Sequence, residues 1–247
     1  MKKAITKTDL VVVLLCCVVI FALSGAAGRA GRMRAQKMLC LSNLRQWRGI
    51  IHRYLEDNHG ELPKAVGGSE NWLGVTTPYV KDENIRLCPS AVKTFAEGAR
   101  EPFVANDTQR VGYKGSYGFH DWFTNKIHEG HDEWNALLWR HMEQKDADRI
   151  PILVGAQRLY LISPLYSDEP PAYESDVVFG GGIAKGEFKN YVVNRHNGSV
   201  NGLFMDFSAR SIGLKELWDL EWHRNWNPNN DPLPEWPEWM SDFKDYR

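Results

Sequence analysis

Residues Leu10–Ala27 form a run of eighteen residues without one charged side chain, and no other stretch limits the possible folds so strongly. As a helix rising 1.5 Å per residue the run measures roughly 27 Å, close to the hydrocarbon thickness of a bilayer. The helical pattern does not end with it. Leu41, Leu44, Trp47, Ile51 and Leu55 follow at steps of three or four, which mark one face of an amphipathic helix. Asn58-His59-Gly60, with Pro63 just beyond, supplies the stop. A helix from Ile5 to about Asp57 would be roughly 80 Å long. A head of the size left to this chain cannot cover such a helix, so the helix is expected to pack against copies of itself.

Charge sharpens this picture. The chain of 247 residues carries a net charge of −1, which excludes the strongly basic profile of a general nucleic-acid binder. The balance is uneven along the chain. Arg29, Arg32, Arg34, Lys37, Arg45, Arg48 and Arg53 all precede Glu56, the first acidic residue after Asp9. Asp9 itself sits at the mouth of the apolar run, where a lone carboxylate is costly without a partner. Cys16 and Cys17 lie inside the run and read as small hydrophobes. Cys40 and Cys88 lie beyond it. In an oxidising compartment they form the natural disulfide pair; the alternative is two separate buried thiols.

The rest of the chain reads as one α+β head, residues 59–247. A short helix is expected around Trp72–Val80, a short strand over Gly115–Phe119 and another over Ile152–Ile162. Tyr191–Asn194, Val200–Met205 and Ala209–Ile212 read as an antiparallel meander, its turns at His196-Asn197-Gly198 and Asp206-Phe207-Ser208. A helix over Leu214–Trp222 caps the meander, and the Pro-rich tail wraps the surface. Trp218 and Trp222 are one helical turn apart and read as core rather than as a ligand platform.

Catalytic signals are weak. Gly180-Gly181-Gly182 marks a loop, and the phosphate-binding patterns and the GxSxG elbow are absent from the sequence. His128-Glu129-Gly130-His131 lacks the helical spacing of HExxH. His120, Asp121, His128, His131, Asp132 and His141 therefore read as a polar surface loop. His196 and Asp206, at opposite ends of one strand, read as residues that fix two hairpin ends. No metal, no cofactor and no enzymatic activity is expected.

Two sets of motifs carry a resemblance. Ala4-Ile5-Thr6, then Asp9 and the apolar run, resemble the start of type IV prepilins and type II secretion pseudopilins. The family usually has Gly before the cut and Glu at the fifth mature position, where this chain has Ala4 and Asp9. Further on, His196 and Asp206 are separated by nine residues, similar to the His-x9-Asp-Gly signature of prepilin-like proteins, with Phe207 in place of the Gly. Cys40-Leu41-Ser42-Asn43-Leu44-Arg45-Gln46, Cys88-Pro89-Ser90 and Gly115-Ser116-Tyr117-Gly118-Phe119 fit the same group.

The resemblance implies a pilin-like fold. Residues 1–4 would be the leader, 5–58 a long N-terminal helix with 10–27 transmembrane, and 59–247 a head with an antiparallel sheet. It implies a structural filament subunit, cut after Ala4 and methylated on Ile5 by a prepilin peptidase, with Asp9 fixing register between copies. Its partners would be that peptidase, further copies or related pseudopilins, and the membrane, with no nucleic acid. It would sit in the inner membrane as a single-pass protein with an exported head. Two other readings stay open: an anchored binding module that uses the aromatic tail on a polysaccharide or a protein, and a secretory signal ending near Ala26.

Overall fold

The computed structural model describes residues 7–64, 70–108, 112–159, 164–165, 168–174, 176, 187–228 and 233–246, with backbone alone for 9 and 20–27. Helix α1 runs from Lys7 to Asp57. Its last third carries the periodic face read from sequence: Leu41, Leu44, Trp47, Ile51 and Leu55 are buried in the head, joined by Cys40 and Tyr54. The helix stops at His59 and Gly60, both at positive φ (55° and 80°). The left-handed turn lets the Gly60 N–H reach back to the Leu55 carbonyl (2.7 Å), closing the helix end.

The pilin-like plan is overturned in its membrane half. No helix formed by the described residues is long and apolar enough to cross a membrane. The transmembrane assignment of 10–27 and the single-pass inner-membrane placement therefore do not stand. The architecture is a small mixed α+β fold with two antiparallel sheets.

The smaller sheet pairs β1 (Asn106–Thr108) with β2 (Tyr113–Gly115). The larger has the order β3 (Tyr117–Phe119), β4 (Pro151–Gly155), β5 (Ser199–Phe204), β6 (Ala209–Gly213), antiparallel throughout. Every residue of β4 and β5 is buried, because this sheet is covered on both faces. Side chains alternate across it. Leu153 and Leu203 join the core beneath α1, while Val154, Val200 and Phe204 join a second core. A register shift between Pro151 and Leu153 lets the consecutive Ile152 and Leu153 both face the helix side. Gly202 lets the neighbouring strands' side chains close over β5: a Cβ there would lie 2.6 Å from Ile212 and 3.3 Å from Val154.

The second core is the aromatic tail. Phe188, Tyr191, Trp218, Trp222 and Trp226 are buried together, with Phe188 edge-on to Trp218 at 4.4 Å and Tyr191 stacked on Trp222 at 4.7 Å. Several expected elements differ. The Leu214–Trp222 helix is a single 3-10 segment, Lys215–Asp219, and no strand forms over Tyr191–Asn194, where Tyr191 closes a 3-10 segment, Glu187–Tyr191, and irregular chain follows. The strand expected over Ile152–Ile162 ends at Gly155, its last residues lying outside the described ones, as does Gly180–Gly182.

Candidate functional site

Two features of the molecule bear on function: the uncovered part of α1, and a buried cluster where α1 enters the head. Along the uncovered part, Leu10, Val11, Val12, Val13, Leu14, Leu15, Val18 and Val19 are all exposed, between 53% and 64%. They cover the helix all round rather than as one stripe. An all-round apolar helix is normally an enclosed one. Ala4 and Ile5 lie outside the described residues; Asp9 is within α1 but its side chain is not described.

Among the described side chains of α1, Cys40 is the first that is buried. Cys88 reaches it from the loop after the 3-10 segment Glu83–Arg86, whose Cys88-Pro89-Ser90 turn is closed by the Ala91 N–H on the Cys88 carbonyl (2.7 Å). His196 comes from the turn that opens β5. Asn197 and Gly198 there adopt positive φ (54° and 78°), which brings the backbone round sharply. The turn is tied from both sides, His196 N–H to the Ser199 carbonyl (3.1 Å) and Ser199 hydroxyl to the His196 carbonyl (2.8 Å). The His196 ring is thereby aimed at the sulfurs, with Nε2 3.5 Å from the Cys88 Sγ. The ligand atoms of Cys40, Cys88 and His196 all lie within 4.8 Å of one another. Both thiols are free.

Electrostatics split the two thiols. The Cys40 thiol bonding to Cys88, with help from His196 and Arg195, holds Cys88 well below the usual thiol range. Burial and the neighbouring Cys88 push Cys40 well above it. The Tyr117 hydroxyl donates to the Cys40 Sγ at 3.2 Å. Behind the trio, Arg195 is locked by carbonyls of Pro102 (2.8 Å), Ser116 (2.7 Å), Val104 (2.8 Å) and Ala156 (2.9 Å). Its charge stays buried, and it acts on both sulfurs. Lys37, one turn before Cys40, bonds the Ser199 hydroxyl (3.0 Å) and offers its carbonyl to Asn201 (3.1 Å).

The expected pair Cys40–Cys88 is thus brought together, and His196 with it; Asp206 is not. Asp206 is exposed in the β5–β6 turn, where its Oδ1 accepts the Ser208 N–H at 2.8 Å. Phe207 takes the left-handed position at φ 63°, the conformation that Gly would supply at no steric cost. Sequence reasoning assigned His196 to the turn and missed its ring's partners. The signal was present: the three soft donors fall in three of the motif pieces, read there one at a time.

The histidine loop also divides. His131 and His141 are exposed, but His120 is buried and donates from Nε2 to the Pro151 carbonyl (2.6 Å). Burial lowers its pKa to about 4. An open groove of about 470 Å³ lies between the end of α1 and the β5–β6 turn, lined by His52, Glu56, His141, Glu143 and Phe207 among others. Among the described residues that line it there is no hydroxyl or thiol nucleophile. Of the tail tryptophans, Trp218, Trp222 and Trp226 are buried and Trp236 and Trp239 half-buried, which leaves no fully exposed indole there for a ligand platform. The chain matches no family model, no curated protein and no solved structure.

Proposed function

We propose that this chain is a structural subunit that assembles with copies of itself, in a pilus-like filament, through the uncovered part of α1. The observation that carries the reading is the all-round exposure of Leu10–Val19. Contiguous apolar surface of this extent on a protein marks an interaction site. A single neighbour would cover one stripe of it. Covering the full circumference takes several, and further copies of the same helix supply them. Burying eight half-exposed Leu and Val side chains is worth roughly 5–10 kcal/mol per subunit, enough to hold an assembly once the cost of association is met. Processing by a prepilin peptidase after Ala4 belongs to this reading and would place the new terminus at Ile5, next to the assembling surface.

The test is assembly by the full chain. Sedimentation and electron microscopy should find elongated oligomers. Leu14→Lys with Val18→Lys, one helical turn apart, should reduce them to monomers while circular dichroism keeps the helix. In the native host the protein's mass should correspond to a chain starting at Ile5. A monomer at tens of micromolar, or assemblies indifferent to the two lysines, would remove the basis for this reading.

A further inference from the structure

The cluster of Cys40, Cys88 and His196 has a chemistry that self-assembly does not use. Three soft donors from three separate segments converge, each buried, with exposures of 1%, 1% and 7%. Cys88 Sγ and His196 Nε2 stand 3.5 Å apart. Two donors on one ion, with metal–sulfur and metal–nitrogen bonds of about 2.3 and 2.0 Å, would be separated by about 3.5 Å. A residue outside the trio is also aimed at the sulfurs. Tyr117 is buried and directs its hydroxyl at the Cys40 Sγ, the kind of outer hydrogen bond that orients a thiolate ligand.

We propose that Cys40, Cys88 and His196 form a binding site for a single monovalent copper ion. Two features favour this ion over zinc. The first is ligand number: among the described residues the cluster offers three donors and is buried, whereas structural zinc sites are closed by four ligands and three-ligand zinc sites keep an open position for water. Soft thiolates select monovalent copper, which accepts three-coordination. The second is charge. Two thiolates and the Glu101 carboxylate beside Arg195 contribute −3, and the Arg195 guanidinium, held by four carbonyls, and the Lys37 ammonium contribute +2. A monovalent ion brings the buried group to neutrality, while a divalent ion leaves an uncompensated positive charge out of water. Binding releases the thiol protons to solvent and changes no oxidation state. The site does not depend on whether the chain polymerises.

The test uses the full chain with Cys16→Ser and Cys17→Ser, because those exposed thiols would bind copper themselves. Reduced protein is titrated anaerobically with monovalent copper against a chromophoric chelator. One equivalent should bind, with an ultraviolet thiolate–copper band and a raised Tm. Cys88→Ser should weaken binding at least a hundredfold, and His196→Gln about tenfold to a hundredfold. The Tm rise in the parent protein is read without any variant, so a variant that fails to fold does not blunt the test. Three outcomes overturn the proposal: no stoichiometric uptake, binding untouched by Cys88→Ser, or one equivalent of zinc that displaces the copper. A mass two daltons low that persists in reductant, the signature of a Cys40–Cys88 disulfide, also overturns it.

Discussion

One helix lives in two environments. From Cys40 to Leu55, α1 presents a repeating apolar stripe and buries it: Leu44, Trp47 and Ile51 are essentially inaccessible. From Leu10 to Leu39 the same backbone carries apolar side chains such as Leu14, Val18, Met38 and Leu39 at more than half exposure. Hydrophobicity alone does not separate the halves, since the uncovered half is the more apolar. Patterning does. A stripe matches one flat neighbour, and the sheet provides it, whereas a helix apolar all round has no matching surface in its own head. What a segment packs against follows from how its apolar residues are arranged, not from how many it has.

Removing an anchor of the docked half should break the contrast with the largest effect. Trp47 is buried, meets Phe119 edge-on at 5.9 Å and donates to the Ile85 carbonyl at 3.0 Å. Trp47→Ala should cost about 3–5 kcal/mol in chemical denaturation. A loss under about 1 kcal/mol would mean that the helix is not part of the head's core.

Acid should act on the docked half through the head beneath it. His120 has a folded pKa of about 4 against an ordinary 6.5, so the unfolded chain takes up a proton that the folded one refuses. The stability associated with the neutral ring is complete above pH 6.5 and is lost as pH falls towards 4, on the order of 3 kcal/mol in all. His120→Gln should flatten that part of the pH profile; an unchanged slope would show that other groups set it.

A smaller effect is expected where side-chain amides stitch helix to head. Asn43 donates to the Leu87 carbonyl at 2.9 Å, and Asn43→Ala should cost about 1 kcal/mol. The smallest effect belongs to the uncovered half. Leu14→Lys should shift the head's stability by less than about 0.5 kcal/mol while weakening assembly. If thermal melting of the dispersed subunit falls by several degrees, Leu14 is docked in a way the comparison denies.

Much of the helix's docked half was legible because its period is local: Leu41 through Leu55 mark it, and Asn58-His59-Gly60 ends it. The β5–β6 hairpin was legible for the same reason. What failed depended on distant partners. His120 reads as loop until Pro151, thirty-one residues on, is known to lie against it. The strand after Pro151 was drawn too long, because an apolar run does not reveal where its ladder partner stops. The membrane span failed because an uncharged run is not by itself a spanning helix, and no helix among the described residues is long and apolar enough to be one. Cys40, Cys88 and His196 were each noticed, but Cys88 and His196 are 108 residues apart, and no spacing rule joins them.

The place where α1 leaves the head has a mechanical consequence. From Cys40 back to Lys7 the helix forms an arm of about 50 Å. At that length, a tilt of roughly 10° at the collar would swing the tip by about 9 Å, close to the spacing of packed helices. Lys37, Asn43 and Asn201, which tie the collar to the loop and to β5, therefore set the pointing accuracy of everything beyond them. In the proposed filament a loose collar would let each subunit reach for the wrong neighbour, and a stiff one would keep its direction over many repeats.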